Sequence, residues 1–119
     1  MDTKELGRFG EKLAAQLLEN QGYQIIERNW RFGREGEIDI IAQDPSGLHT
    51  AFIEVKTRST RGAGGPFAAI TARKYRKMRH LALRYCASNP HQIPRLDVIG
   101  VDTSGSGQPR VRHLKGVLP

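Results

Sequence analysis

A chain of 119 residues, 38% hydrophobic and 26% charged, has a globular composition and room for one core, so a single domain over residues 1–119 is expected. No run approaches the roughly eighteen apolar residues of a membrane span; the N-terminus Met1-Asp2-Thr3-Lys4-Glu5 lacks the layout of an export signal, and the lone Cys86 excludes an internal disulfide. These features set the expectation of a cytoplasmic protein, and a net charge of +7 favours a polyanionic partner through counterion release from phosphates.

The first element predicted is an amphipathic helix over Thr3–Asn20, started near Thr3 and stopped at Gly22. Its apolar stripe is Leu6, Gly10, Leu13 and Leu17, with Ala14 and Leu18 at the edge. Tyr23–Arg31 reads as a strand, turned by Gly33-Arg34-Glu35-Gly36. Glu37–Gln43 and His49–Arg58 are the next two strands. The turn chemistry of Asp44-Pro45-Ser46-Gly47 between them makes these a hairpin. Residues 60–66 are too rich in glycine for regular structure and read as a flexible loop. A second helix over Thr71–Ala87 has Met78, Leu81, Ala82 and Tyr85 as its stripe, and Asn89-Pro90 ends it. Arg95–Asp102 is a fourth strand and Arg110–Lys115 an edge strand. The order helix, three strands, helix, two strands is that of an α/β sheet with helices packed on it.

The hairpin carries the chemistry. If Asp44 faces His49, then Ile38, Ile40 and Ala42 oppose Val55, Ile53 and Ala51 on an apolar face. The other face pairs Ile41 with Phe52, Asp39 with Glu54 and Glu37 with Lys56. A slip of one residue would mix the faces, so the pattern favours this register. Carboxylates directly opposed on a half-buried sheet repel, and they need a cation, a shared proton or open solvent. A hard divalent ion such as Mg2+ or Mn2+ satisfies one or two carboxylates and leaves room for phosphate oxygens. Lys56 lies on the Glu54 face, about 6–7 Å along the strand, where an ammonium can hold an attacking water and offset charge building on phosphorus. Glu37 has two readings, partner of Lys56 or supplementary metal ligand, and the partner role is the one expected. A Glu-x-Lys triplet taken alone is more often an exposed ion pair; order, hairpin spacing, register and the basic companion surface together favour the metal site.

The stretches Gly7-x-x-Gly10-Glu11, Gly36-Glu37-Ile38-Asp39, Phe52-Ile53-Glu54-Val55-Lys56-Thr57-Arg58 and Arg95-Leu96-Asp97-Val98 resemble the YraN-like family of small bacterial proteins. The resemblance implies a restriction-endonuclease-like core of the PD-(D/E)XK type. The pattern is also similar to that of archaeal Holliday-junction resolvases, whose sites use a helix-one Glu, an Asp and a Glu-x-Lys. Carried over motif by motif, Glu11, Asp39, Glu54 and Lys56 are the catalytic candidates, with Asp39 and Glu54 as metal ligands. Helical rotation puts Glu11 beside Leu18, at the margin of the apolar stripe, from which it can reach over the sheet or face water.

Arg58, Arg61, Arg73, Lys77 and Arg84 are the candidate nucleic-acid contacts. Residues 73–84 also include Lys74, Arg76 and Arg79, with no acid among them. Trp30, Phe32 and Tyr75 can stack on bases or simply pack. The four histidines lack zinc-ligand spacing, and Asp97 reads as a structural anchor, with an accessory site role left open by its charge. Two functions compete: a Mg2+- or Mn2+-dependent nuclease acting on DNA, including branched or repair-intermediate structures, and a non-catalytic nucleic-acid-binding adaptor. Binding to a membrane is not expected, since neither helix has the face of an interfacial anchor. Symmetric cutting of two strands would suit a homodimer.

Overall fold

The computed structural model describes residues 1–59 and 70–117. Its first helix, α1 (Thr3–Asn20), has the expected bounds, but its cap lies one residue before Thr3. Asp2, not Thr3, accepts from the Glu5 N–H, and Glu5 returns a bond to the Asp2 N–H, a reciprocal capping box. The residues buried along α1 are Gly10, Ala14, Ala15 and Leu18, with Leu13 and Leu17 only partly covered. The expected edge of the stripe is therefore its centre. Small residues let the helix lie close to the sheet, and the leucines wedge in from the side.

The strands follow as β1 (Gln24–Phe32), β2 (Gly36–Gln43) and β3 (Thr50–Arg58), then helix α2 (Ala72–Ala87), β4 (Pro94–Asp102) and β5 (Arg110–Leu114). They form one five-stranded sheet in the order β1-β2-β3-β4-β5. Every neighbouring pair is antiparallel except β3 and β4, which run parallel. A parallel pair needs a long crossover, and the segment containing α2 supplies it. The fold is thus the expected α/β arrangement: a mixed sheet flanked by two helices, in the order helix, three strands, helix, two strands. No described helix is long and apolar enough to cross a membrane.

Strand alternation separates two cores. On the α1 side, Ala14, Ala15 and Leu18 pack on Ile40, Ala42, Ala51, Ile53, Ile99 and Val101. On the α2 side, Leu81 and Ala82 cover Ile38, Ile41 and Phe52, with Trp30, Phe32 and Tyr85 around them. The Trp30 and Phe52 rings each meet Tyr85 near edge-on, at 5.4 Å and 5.6 Å between centroids, and Phe32 lies tilted against Trp30 at 5.9 Å. Trp30 and Phe32 therefore serve packing.

One residue breaks the expected face pattern. Ile38 belongs to the α2 side with Ile41, not to the α1 side with Ile40. Strict alternation would put Ile38 and Ile40 together, so β2 changes phase between them, at Asp39.

A candidate metal and nucleic-acid site where the hairpin opens

The β2–β3 register is the one the residue pattern favours. Asp44 N–H donates to the His49 carbonyl at 3.0 Å, and pairing runs from Gln43↔Thr50 to Ile40↔Ile53. One further step would set Asp39 against Glu54, but the ladder ends at Ile40↔Ile53. In an antiparallel ladder the hydrogen-bonded pairs alternate, so the Val55 N–H would ordinarily bond to the Ile38 main chain. It donates instead to Asp39 Oδ2 at 2.8 Å. The Asp39 carboxylate has taken a main-chain position in the sheet.

The other flank of Asp39 is distorted as well. Asn29 lies between the pairs Arg28↔Ile40 and Trp30↔Ile38 and has a φ of 53°. Asparagine is among the residues that best tolerate this left-handed region. With its amide nitrogen turned toward them, Asn29 donates to Glu11 Oε1 at 3.0 Å and Glu37 Oε1 at 3.1 Å. A left-handed residue on one side and an opened ladder on the other account for the phase change at Asp39.

Two glycines bring the helices to this point. Gly10 is buried, and a Cβ there would lie 2.9 Å from the Thr57 Cβ. The absence of a side chain lets α1 cross the end of β3, so Glu11, the next residue, is delivered to the site. Gly36 has a φ of 145°, and a Cβ on it would lie 2.7 Å from the Lys77 Cε. The Lys77 stem thus packs directly on the backbone at the start of β2.

Glu54 is buried, at 7% exposure, and two lysines face it. Lys74 Nζ is 3.1 Å from Glu54 Oε1, and Lys56 Nζ is 3.8 Å from the same oxygen. Glu37 differs from expectation. Its partner is Arg31, at 2.9 Å across the β1–β2 pair Arg31↔Glu37, so Lys56 is left to Glu54. Neighbouring main chains within hydrogen-bonding reach of each other hold Arg31 and Glu37 side by side, whereas the ladder has already opened between Glu37 and Lys56.

The electrostatics follow from this crowding. Burial, then the Glu54 charge, pushes the Asp39 carboxyl up to about 7; the Val55 N–H and Lys74 pull the other way. Burial is also the main reason the Glu11 carboxyl is raised, aided by Glu37 and Glu54 and opposed by Arg28 and the Asn29 bond. Glu11, Asp39 and Glu54 therefore feel one another. Among the described residues, no three His, Cys, Asp or Glu side chains form a ready-made metal cage. Mg2+ does not require one, because it takes one or two carboxylates and keeps several waters. The donor set suits such an ion: two hard oxygen ligands, Asp39 and Glu54, on a cleft of about 250 Å3 lined also by Gly36, Glu37, Lys74, Lys77, Met78 and Leu81. A larger groove of about 410 Å3, lined by Tyr75, Arg79, Leu83 and Leu96 among others, has no carboxylate in its wall.

The candidate nucleic-acid contacts are not all brought together. Lys77 lines the cleft. Arg73 is exposed on the first turn of α2, and Arg58 is half-buried at the end of β3 on the Glu54–Lys56 face. Arg84 sits about 15 Å along α2 from Lys74. Its guanidinium lies 5.4 Å from the Phe32 ring centroid and 3.9 Å from Glu35, which also contacts His80. Arg84 thus ties α2 to the β1–β2 turn. Arg61 falls outside the described residues, as does the whole glycine-rich stretch 60–66.

Two residues at the site escaped sequence reasoning. Lys74 falls four residues before Met78 and seven before Leu81, so it stands in register with the buried stripe of α2. A lysine in an apolar register was the available signal, obscured by the surrounding basic run. For Asn29 the signal was weaker, an asparagine inside a strand pattern.

Away from the cleft, Asp97 is fully buried and anchors the far end of β4, as expected of a structural residue. It accepts from Arg95 at 2.8 and 2.9 Å and from the Gly116 N–H at 3.0 Å, and it bonds to His113 Nε2 at 2.7 Å. Arg95 reaches on to the Tyr23 hydroxyl at 2.6 Å. Burial alone would raise the Asp97 carboxyl; the bonds from His113, Arg95 and Gly116 outweigh it and hold the acid below its usual range.

Residues 10–101 match the model of a family described as "Uncharacterised protein family UPF0102". A UPF0102 protein of Arthrobacter sp. (strain FB24) is 48% identical over 114 residues, covering 94% of each chain. One from Leifsonia xyli subsp. xyli is 46% identical over 117 residues, covering 96% of each. Among solved structures, Pyrococcus furiosus SfsA in complex with Ca2+ aligns with 99% of this chain and 66% of its own at 17% identity, with a TM-score of 0.46. That last likeness is too slight to bear on the site. The chain belongs to the UPF0102 (YraN-like) family.

Proposed function

We propose that this UPF0102 member is a metal-dependent nuclease that hydrolyses phosphodiester bonds in DNA, including branched or repair-intermediate structures. The observation that carries the reading is the placement of Asp39 and Glu54. Two carboxylates sit where the sheet opens, one buried and the other pushed up to about 7, with lysines around them. Keeping such a pair costs stability, and a site that binds a cation explains the cost.

Asp39 and Glu54 would hold the ion, Mg2+ or Mn2+, with Glu11 raised beside them as a further acid. When bound, the ion supplies Lewis-acid chemistry at the phosphate and at water. The protein's own side chains do the rest. The Val55 N–H fixes the Asp39 carboxylate. Lys56, half-buried on the Glu54 face, would stabilise charge developing on the phosphoryl oxygens. Lys77, Arg73 and Arg58 would position the backbone of the nucleic acid, with Arg61 a further candidate. Glu37 supports the site through Asn29 and Arg31.

One observation favours a second reading, a non-catalytic nucleic-acid-binding adaptor: Lys74 and Lys56 already pair Glu54 within the chain. The decisive experiment is a Mg2+ and Mn2+ titration against linear, flapped and four-way DNA. The nuclease reading expects metal-dependent cleavage that Asp39→Ala and Lys56→Ala abolish in folded protein. No cleavage of any substrate in either metal, with salt-dependent binding indifferent to Asp39→Ala, would establish the adaptor instead.

A further inference from the structure

Lys74 occupies an awkward place. It lies in the first turn of α2, where the aligned peptide dipoles disfavour a cation, and that turn contains no acid to compensate. The helix is capped normally, the Thr71 side chain accepting from the Lys74 N–H at 3.1 Å. The side chain follows the apolar register of Met78 and Leu81, and its ammonium ends 3.1 Å from Glu54 Oε1, on the wall of the cleft that holds Asp39. Lys56 reaches the same oxygen at 3.8 Å. The glutamate expected to bind a metal is thus held most closely by a lysine from the opposite helix.

We propose that Lys74 is an exchangeable counter-ion: it neutralises Glu54 in the metal-free protein, yields that oxygen when a divalent ion binds, and then serves a phosphate of the nucleic acid. This rests on the nuclease reading of the site and adds to it a coupling between metal and substrate. An ammonium and a divalent ion on Glu54 Oε1 repel across a few ångströms, so each weakens the other's hold on that oxygen. The released side chain has somewhere to go. Its side chain is 39% exposed on the cleft wall beside Lys77, which points the pair at a polyanion in the cleft. Lys56 is the less exposed of the two lysines and is anchored on the sheet itself. Coupling of this kind is reciprocal. Metal that frees Lys74 strengthens phosphate binding, and bound phosphate strengthens metal binding by the same factor.

The test is calorimetric titration of the full chain with Mn2+, comparing wild type, Lys74→Met, Lys74→Gln and, as a cleft-wall control, Lys77→Met. Two substitutions at position 74 guard against a folding defect in one. Removing a competing ammonium at contact distance is expected to tighten Mn2+ binding roughly tenfold in both Lys74 variants, and by no more than about twofold in Lys77→Met. A second measurement is the affinity for a phosphorothioate DNA duplex with and without Mn2+. The gain produced by Mn2+ should shrink in the Lys74 variants. Lys74 variants that bind Mn2+ no more tightly than wild type, or only as much more tightly as Lys77→Met does, overturn the exchange and leave the metal site standing. Absence of Mn2+ binding in every form, wild type included, overturns both.

Discussion

The main-chain N–H of Val55 donates to Asp39 Oδ2 at 2.8 Å, in place of the bond that a regular hairpin would make to Ile38. The carboxylate is therefore a structural acceptor and a charge burden together, and the two roles separate by mutation. Asp39→Asn keeps an acceptor oxygen and removes the charge beside Glu54. Asp39→Ala leaves the N–H without its partner. In metal-free solution at pH 8, Asn is expected to be at least as stable as wild type, and Ala about 1–2 kcal/mol less stable than Asn. Urea unfolding of the three proteins checks the order; equal stability of Asn and Ala would show that the bond contributes nothing.

Stability should depend on pH with a definite sign. Burial and Glu54 raise the folded-state pKa of Asp39 from 3.8 to about 7, so the folded form binds this proton more tightly than the unfolded chain does. The contribution is fully present below the unfolded value and is lost as pH rises through the folded one. A carboxyl so displaced corresponds to roughly 4 kcal/mol, which solvent at a half-buried site screens to about 1–2 kcal/mol. Metal-free wild type should therefore lose stability between pH 4 and pH 7 by that much more than Asp39→Asn does. Thermal melts of both proteins across that range give the difference. Parallel curves would exclude a raised Asp39.

Gly10 is required by a close approach. A Cβ there would lie 2.9 Å from the Thr57 Cβ and overlap its hydroxyl. Gly10→Ala should cost about 1–3 kcal/mol, as overpacking does, and should shift Glu11 relative to Asp39. Thr57→Ala in the same chain removes the hydroxyl clash but keeps the Cβ, so recovery should be partial. Denaturant midpoints of the single and double variants report the coupling.

The Arg95–Asp97–His113 cluster predicts a large loss of stability that is unconnected with metal. Asp97→Ala leaves the mostly buried Arg95 guanidinium without its bidentate carboxylate and His113 without its acceptor, and should cost about 3–5 kcal/mol. By contrast, Glu37→Gln cuts an Arg31 pair whose arginine side chain is 67% exposed and should cost under about 1 kcal/mol. Chemical denaturation separates the two. An Asp97→Ala protein as stable as Glu37→Gln would refute the assigned anchoring role.

Much of this was legible in the residue pattern. Every helix and strand bound fell within one or two residues of expectation, and the β2–β3 register followed from apolar alternation between Ile40–Ala42 and Ala51–Ile53. Local periodicity and turn chemistry determine such features, because a slipped register would bury charge and expose isoleucine. The Asp39, Glu54 and Lys56 placement on one hairpin was legible for the same reason.

What the pattern could not supply is everything that depends on where the ladder stops. Strand alternation assumes regular pairing, so it put Ile38 with Ile40 and Glu37 with Lys56. The opening at Asp39 and the left-handed Asn29 sent Ile38 to the α2 side and Glu37 to Arg31. It likewise hid Lys74, whose partner Glu54 lies twenty residues earlier in the chain on another element. The sequence by itself determined the elements, their register and the pair of carboxylates, since those rest on neighbours a few residues apart. Tertiary structure alone decided what surrounds those carboxylates. Contacts between a sheet and two helices depend on close approach at Gly10 and Gly36, and local periodicity does not encode how near two distant segments come.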